Sequence, residues 1–112
     1  MSALDRLHII MTVVSSGLKP LNPRPDISSL FVITSGLSGE VGEVMELLKK
    51  HIRDNTPIDK QHLAYELGDV LVYLICIANR FDLTFDDVVN AVSDKLEKRV
   101  AKKSLRGSGE DR

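Results

Sequence analysis

Apolar residues recur at intervals of three or four along most of the chain, which is the spacing typical of amphipathic α-helices. Over residues 3–15 this spacing predicts a first helix, with Ser2 as its N-cap and Asp5 at its third position. One glycine and three prolines then interrupt the pattern, so we expect a loop over residues 17–25. No segment shows the alternation of a β-strand, and the chain is therefore predicted to be all-α.

The second predicted helix is long and runs from about residue 26 to about residue 53. The residues of its apolar stripe are spaced by three or four throughout, namely Leu30, Ile33, Leu37, Val41, Val44, Leu48 and Ile52. Glycines at positions 36, 39 and 42 interrupt the same segment. Each glycine makes the helix less stable by about 1 kcal/mol than an alanine at the same position would. They indicate either a packing or site requirement or a break in the helix.

The third predicted helix is apolar on nearly every side. It begins at a cap formed by Thr56 or by Asp59 and continues to about residue 80. Within its apolar stretch only Glu66 and Asp69 would be charged at neutral pH. A helix that is apolar all round is buried all round, and a chain of 112 residues rarely surrounds one completely. We therefore expect a homo-oligomer in which a second copy covers this helix.

A fourth helix is predicted from a capping box formed by Thr84 and Asp87, and it continues to about Lys103. From residue 104 onward serine, glycine and charged residues dominate, which predicts a flexible tail over residues 104–112. Residues 1–103 are then expected to form a single all-α domain.

The composition of the chain excludes several classes of protein. With 15 basic and 16 acidic residues the net charge is −1, which excludes a strongly basic nucleic-acid binder and an acidic disordered chain. The single cysteine, Cys76, excludes an internal disulfide and suits a reducing, cytoplasmic location. No apolar run reaches the roughly 18 residues of a membrane-spanning helix. We therefore expect neither a nucleic acid nor a membrane as a partner.

Four carboxylates occur as two pairs, and the members of each pair are three residues apart. Glu40 and Glu43 lie beside the apolar stripe of the second helix, and Glu66 and Asp69 lie in the apolar third helix. Burying an unpaired carboxylate costs several kcal/mol, so the second pair requires compensation. Two acid pairs that converge would bind a hard divalent cation, for which Mg²⁺ is favoured and Mn²⁺ is possible.

Other interpretations of these acids stay open. Glu66 and Asp69 could pair with Arg80 or Lys95 in a buried ion network, which would make the chain a non-catalytic, oligomerising helical module. A di-iron carboxylate protein would need a Glu-x-x-His motif, which the chain lacks. The glycine-rich phosphate loop of nucleotide-binding proteins is also missing. Cys76 lies in an apolar run and is expected to be a core residue.

Two segments around the acids resemble the motifs of a known family. G-L-S-G-E-V-G-E-V over residues 36–44 and Y-E-L-G-D-V-L-V-Y-L over residues 65–74 resemble the first and second motifs of the MazG-like nucleoside triphosphate pyrophosphohydrolases. Lys95, Leu96 and Arg99 are similar to the family's closing K-L-x-x-R pattern. The resemblance covers about residues 27–100. Val92, where many relatives have asparagine, and Ser38-Gly39 before the first glutamate depart from the pattern.

The resemblance implies a four-to-five-helix bundle that is completed by oligomerisation, as a homodimer or homotetramer. It implies Mg²⁺-dependent hydrolysis of nucleoside triphosphates to monophosphate and pyrophosphate, in the service of nucleotide-pool house-cleaning. The metal would be held by Glu40, Glu43, Glu66 and Asp69, with Glu43 and Glu66 also catalytic. Substrate contacts are expected from Tyr73 and from four basic residues, namely Lys50, Arg80, Lys95 and Arg99.

Overall fold

The computed structural model describes the backbone of residues 1–17 and 27–106 and the side chains of residues 1–11 and 30–103. Its four helices are α1 (Ala3–Gly17), α2 (Ile27–Asp54), α3 (Lys60–Arg80) and α4 (Phe85–Arg106). These ranges contain no strand, which confirms the predicted all-α fold. The predicted loop, from residue 18 on, and the last six residues of the predicted tail lie outside the described residues.

The helix starts follow the capping residues of the sequence. Ser2 and Asp5 exchange side chain to backbone hydrogen bonds at 3.2 and 3.0 Å, and Thr84 and Asp87 do the same at 2.8 and 3.0 Å. At α3 the later of the two predicted starts is observed. The Asp59 carboxylate accepts hydrogen bonds from the backbone N–H groups two and three residues later, at 3.0 and 3.1 Å. Each cap satisfies amide donors that have no partner inside the helix.

The ends of α2 and α3 use residues with left-handed backbone conformations. Asn55 has a φ of 51° and Asp82 a φ of 57°, and both residue types tolerate this region better than most. The N–H of Leu83 donates to the carbonyl of Ala78 at 2.9 Å. The N–H of Asp82 donates to the carbonyl of Asn79 at 3.2 Å. This pair of bonds is a Schellman motif, which ends α3 where sequence periodicity placed its end.

The chain divides into two compact units. The first, Met1–Ile77, contains α1, α2 and most of α3, and the second, Ala78–Arg112, contains the last turn of α3 and all of α4. The fourth helix continues to Arg106, three residues past its predicted end, so the first residues of the predicted tail are helical. The single domain over residues 1–103 stays a prediction.

Few apolar side chains are buried within one copy of the chain. Among the described residues the buried hydrophobic side chains are Met11, Ile75 and Ala78. On the apolar stripe of α2, by contrast, Val41, Leu48 and Ile52 are 39%, 38% and 78% exposed. Phe31 and Met45, which lie outside the stripe on the same helix, are 69% and 64% exposed. The apolar side chains of α2 are therefore only partly covered by the described residues of one copy.

The expectation that no segment is long and apolar enough to span a membrane is wrong for α3. By length and composition Lys60–Arg80 could cross a bilayer. Of its most apolar 18-residue stretch, 11% is buried within the chain. Core helices of soluble proteins meet the same criterion. The helix also carries Glu66 and Asp69, whose carboxylates lie beside a third acid of α2, as described next.

Candidate functional site

Three of the four predicted metal ligands meet at one place between α2 and α3. Glu40 from α2 and Glu66 and Asp69 from α3 each place a carboxylate oxygen so that all three lie within 4.8 Å of one another. The two acids of α3 share a face because residues three apart lie about 60° from each other around a helix. Glu40 and Glu66 are half-buried, and Asp69 is exposed. We call these three residues the carboxylate cluster.

Negative charges dominate the electrostatics around Glu40 in the cluster. The pKa of Glu40 is raised above its ordinary value, first by desolvation and then by the negative charges of Asp69, Glu66 and Glu43. Closely spaced carboxylates disfavour one another's ionised forms unless a cation lies between them. The cluster therefore has the donor atoms and the charge to hold a hard divalent cation.

Glu66 has a further partner on its own helix. The Nε2 atom of His62, one turn earlier on α3, donates a hydrogen bond of 3.1 Å to Oε1 of Glu66. The Glu66 side chain is only 16% exposed, so this bond restrains its carboxylate in a partly desolvated position. The two residues share one side of α3 because they are four residues apart.

Glu43 lies three residues beyond Glu40 on α2, is exposed, and is outside the group whose oxygens approach within 4.8 Å. Its charge nevertheless contributes to the raised pKa of Glu40. The predicted four-carboxylate set is thus present as three converging acids and a fourth nearby.

Tyr73 lies on the same side of α3 as the cluster and contacts α2 at Gly36. A Cβ atom added to Gly36 would lie 2.5 Å from Cζ and 2.7 Å from the hydroxyl oxygen of the Tyr73 ring. Gly36 is four residues before Glu40, and Tyr73 is four residues after Asp69. The contact is therefore about one helical turn from the cluster along both helices, which run antiparallel.

Lys50 is also in the first unit, but the structure shows it paired with another acid. Its ammonium group lies 3.9 Å from the Glu46 carboxylate, on the exposed side of α2. Lys49 pairs with the same carboxylate at 3.9 Å. Glu46 thus lies on the solvated face of α2. The predicted substrate contact of Lys50 stays a prediction.

Arg80, Lys95 and Arg99 belong to the second unit. Lys95 lines a groove of about 370 Å³ on this unit, and Val92 and Asp87 lie in the same wall. Arg99 is half-buried on the same helix. The roles of these three residues in substrate binding stay predictions.

Cys76 does not have the surroundings of a reactive thiol. It is half-buried on α3, and burial raises the pKa of its thiol, which disfavours the thiolate that a nucleophile requires. The expectation that Cys76 is a core residue is wrong in degree, because it is half-buried and is not among the buried side chains of the described residues.

Comparison with known proteins relates this geometry to a family. The profile of the MazG nucleotide pyrophosphohydrolase domain matches residues 30–103, which include both helices of the carboxylate cluster. The chain is also 36% identical over 90 residues to the Gene 37 protein of Mycobacterium phage L5, an alignment that covers 77% of this chain and 79% of the phage protein. No solved structure matches the chain.

Proposed function

The chain belongs to the family of MazG nucleotide pyrophosphohydrolase domains, and we propose that it hydrolyses ribo- or deoxyribonucleoside triphosphates to monophosphate and pyrophosphate with Mg²⁺. The observation that carries this proposal is the convergence of Glu40, Glu66 and Asp69 within 4.8 Å. An all-carboxylate site repels a triphosphate unless a cation lies between them, so the substrate and the metal are proposed together.

The donor set fits a hard divalent cation. Three carboxylates supply oxygen ligands only, and the outermost, Asp69, is exposed, so water and phosphate oxygens can complete the coordination. Mn²⁺ suits the same ligands, and Mg²⁺ or Mn²⁺ is therefore the proposed cofactor. When bound, the cation supplies charge that draws the triphosphate to the cluster and lowers the pKa of a coordinated water.

Other residues of the chain are proposed to have three further roles in the reaction. His62 is proposed to restrain the Glu66 carboxylate through its hydrogen bond to Oε1. Glu43, exposed and close enough to affect Glu40 electrostatically, is proposed to accept a proton from the attacking water. Attack on the α-phosphorus breaks its bond to the bridging oxygen, and pyrophosphate leaves. Lys50, Arg80, Lys95 and Arg99 are proposed to stabilise its charge.

A substrate screen tests the reaction. Incubation with each ribo- and deoxyribonucleoside triphosphate and Mg²⁺ is expected to yield monophosphate and pyrophosphate in equal amounts, measured by anion-exchange chromatography. The physical reason is that attack at the α-phosphorus leaves the β,γ bond intact. Diphosphate with orthophosphate would contradict this reaction. The absence of any product, with every triphosphate tested, would favour the non-catalytic helical module.

We further propose that the active unit contains more than one copy, a homodimer or a homotetramer. The supporting observation is that large apolar side chains of α2 and α3 stay exposed in one copy, including Phe31, Met45, Ile52 and Leu67. Exposed apolar area of this extent along packed helices is typical of a surface that a second subunit covers.

Sedimentation equilibrium is expected to give at least twice the 12.4 kDa mass of one chain. The double variant Met45→Lys/Ile52→Lys, on one face of α2, is expected to sediment as a monomer, because covering these charges would leave them unpaired. Gln61→Lys, which introduces a lysine at an exposed polar position, is the control and should keep the wild-type mass. A wild-type chain that sediments as a monomer at every concentration would contradict the proposal.

The biological setting follows as part of the same proposal. An enzyme of this class removes nucleotides from the cellular pool, which is a house-cleaning role in the cytoplasm. The single cysteine, half-buried and without a disulfide partner, suits that reducing compartment.

A further inference from the structure

The contact between Gly36 and Tyr73 differs from the surroundings of the other described glycines in α2 and α3. A Cβ at Gly39, Gly42 or Gly68 would meet no atom within 4 Å, whereas at Gly36 it would overlap the Tyr73 ring. Carbon atoms in van der Waals contact lie about 3.5–4.0 Å apart. A side chain at residue 36 is therefore incompatible with the observed position of the ring.

We infer that Gly36 is a positioning residue for Tyr73: the missing side chain at this position keeps the tyrosine ring across α2, beside the carboxylate cluster. This inference rests on the proposed function, because the ring is placed there to contact the nucleotide. The obstacle that a larger residue meets is a side chain and not backbone. A substitution would therefore turn the ring away from α2 without breaking either helix.

The position of the ring relative to the cluster indicates which part of the substrate it meets. Four residues of helix separate Gly36 from Glu40 and Asp69 from Tyr73, a rise of about 6 Å on each helix. Phosphate oxygens would occupy the cluster itself. A ring one turn away is within reach of the sugar or base, with which a flat aromatic face can pack or stack. Tyr73 is half-buried, so part of its side chain stays accessible to a ligand.

The structure also accounts for a glycine that is unfavourable for its helix. A helical glycine is less favourable than alanine by about 1 kcal/mol. At residue 36 the ring of Tyr73 occupies the space that a Cβ atom would need, so glycine is required there despite its lower helix propensity. The same substitution at Gly39 adds a methyl group in open space and changes helix propensity by the same amount, which makes it a matched control.

The experiment measures the exposure of the Tyr73 ring separately from the rate of the reaction. The chain has two tyrosines and no tryptophan, so Tyr65→Phe leaves Tyr73 as the single strongly fluorescent side chain. In this background Gly36→Ala is expected to increase acrylamide quenching of Tyr73, because the ring leaves its contact with α2. Gly39→Ala should leave the quenching unchanged. The affinity for Mn²⁺ alone should change less than about twofold in both variants, since the carboxylates are untouched.

In the assay, Gly36→Ala is expected to lower kcat/KM by about tenfold, mainly through KM, because a misplaced contact weakens substrate binding. Gly39→Ala should keep the wild-type value. In the double variant Gly36→Ala/Tyr73→Leu the obstructing ring is gone, so kcat/KM should equal that of Tyr73→Leu alone. The alanine should also raise the melting temperature in the Tyr73→Leu background, where only helix propensity changes.

Unchanged Tyr73 quenching in Gly36→Ala would overturn the inference, whatever the assay shows. An additive loss of kcat/KM in the double variant would overturn it too, because Gly36 would then act independently of Tyr73. If the wild-type chain hydrolyses no triphosphate, the proposed function fails and the nucleotide contact fails with it. The quenching and melting measurements still decide whether Gly36 positions the ring, so the two failures are distinguishable.

Discussion

Replacing Glu66 by glutamine is expected to lower kcat at least about 100-fold while the helices stay folded. Glutamine has nearly the same shape and can still accept a hydrogen bond from His62, so the local packing is kept. What is lost is one of the three negative charges that converge within 4.8 Å. The measurement is single-substrate kinetics at saturating Mg²⁺, with circular dichroism to verify the fold.

The matched control for this variant is Glu46→Gln on α2. Glu46 is exposed and pairs with Lys49 and Lys50 at the protein surface, so the same chemical change is expected to leave kcat within about twofold of wild type. Without divalent cations Glu66→Gln should melt no lower than wild type, because it removes a charge that repels Glu40. Near-full turnover by Glu66→Gln would show that the site has been assigned wrongly.

Removing divalent cations is the second change for which we expect a large effect. Treatment with EDTA should reduce turnover to background, and added Mg²⁺ or Mn²⁺ should restore it. Binding to the folded cluster should also stabilise the chain by RT ln(1 + [L]/Kd), about 2.7 kcal/mol at a cation concentration 100 times Kd. The reason is the same as for the raised pKa of Glu40: a cation offsets the repulsion among the cluster's carboxylates. Calorimetric melting with and without Mg²⁺ measures this stabilisation of the folded chain.

Two controls separate cluster binding from general salt effects. Glu66→Gln should lose most of the Mg²⁺-dependent rise in melting temperature, and Glu46→Gln should keep it. A melting temperature that does not respond to Mg²⁺ or Mn²⁺, together with turnover that persists in EDTA, would contradict a metal-dependent site. A non-catalytic module held by ion pairs needs no such response, and bound iron in the purified protein would favour the di-iron alternative.

The helix boundaries show which helix starts and ends can be predicted from neighbouring residues alone. The capping boxes Ser2 with Asp5 and Thr84 with Asp87 are present as hydrogen bonds because they depend only on residues three apart. The start of α3 was ambiguous between residues 56 and 59 because both carry capping side chains, and the structure uses Asp59. The end of α4 lies three residues past the predicted position, since charged and polar residues there also accommodate a helix.

The candidate site was predictable in its residues and less so in its arrangement. Paired acids in apolar helices pointed to Glu40, Glu66 and Asp69, because a carboxylate in such surroundings requires a cation or an ion pair. That Glu43 lies outside the converging group depends on the rotation of α2 against α3, which spacing along one helix does not contain. The pairing of Lys50 with Glu46 likewise reflects which face of α2 is turned toward solvent.

The sequence by itself determined the all-α fold, the capping boxes of α1 and α4 and the family, because periodicity, capping and motif spacing are properties of neighbouring residues. Only the tertiary structure showed which of three glycines in α2 has a packing role, since that depends on the Tyr73 ring of another helix. It also showed that the apolar faces of α2 and α3 exceed what one copy covers. Burial depends on what packs against a helix, and distant parts of the chain or a second copy supply that packing.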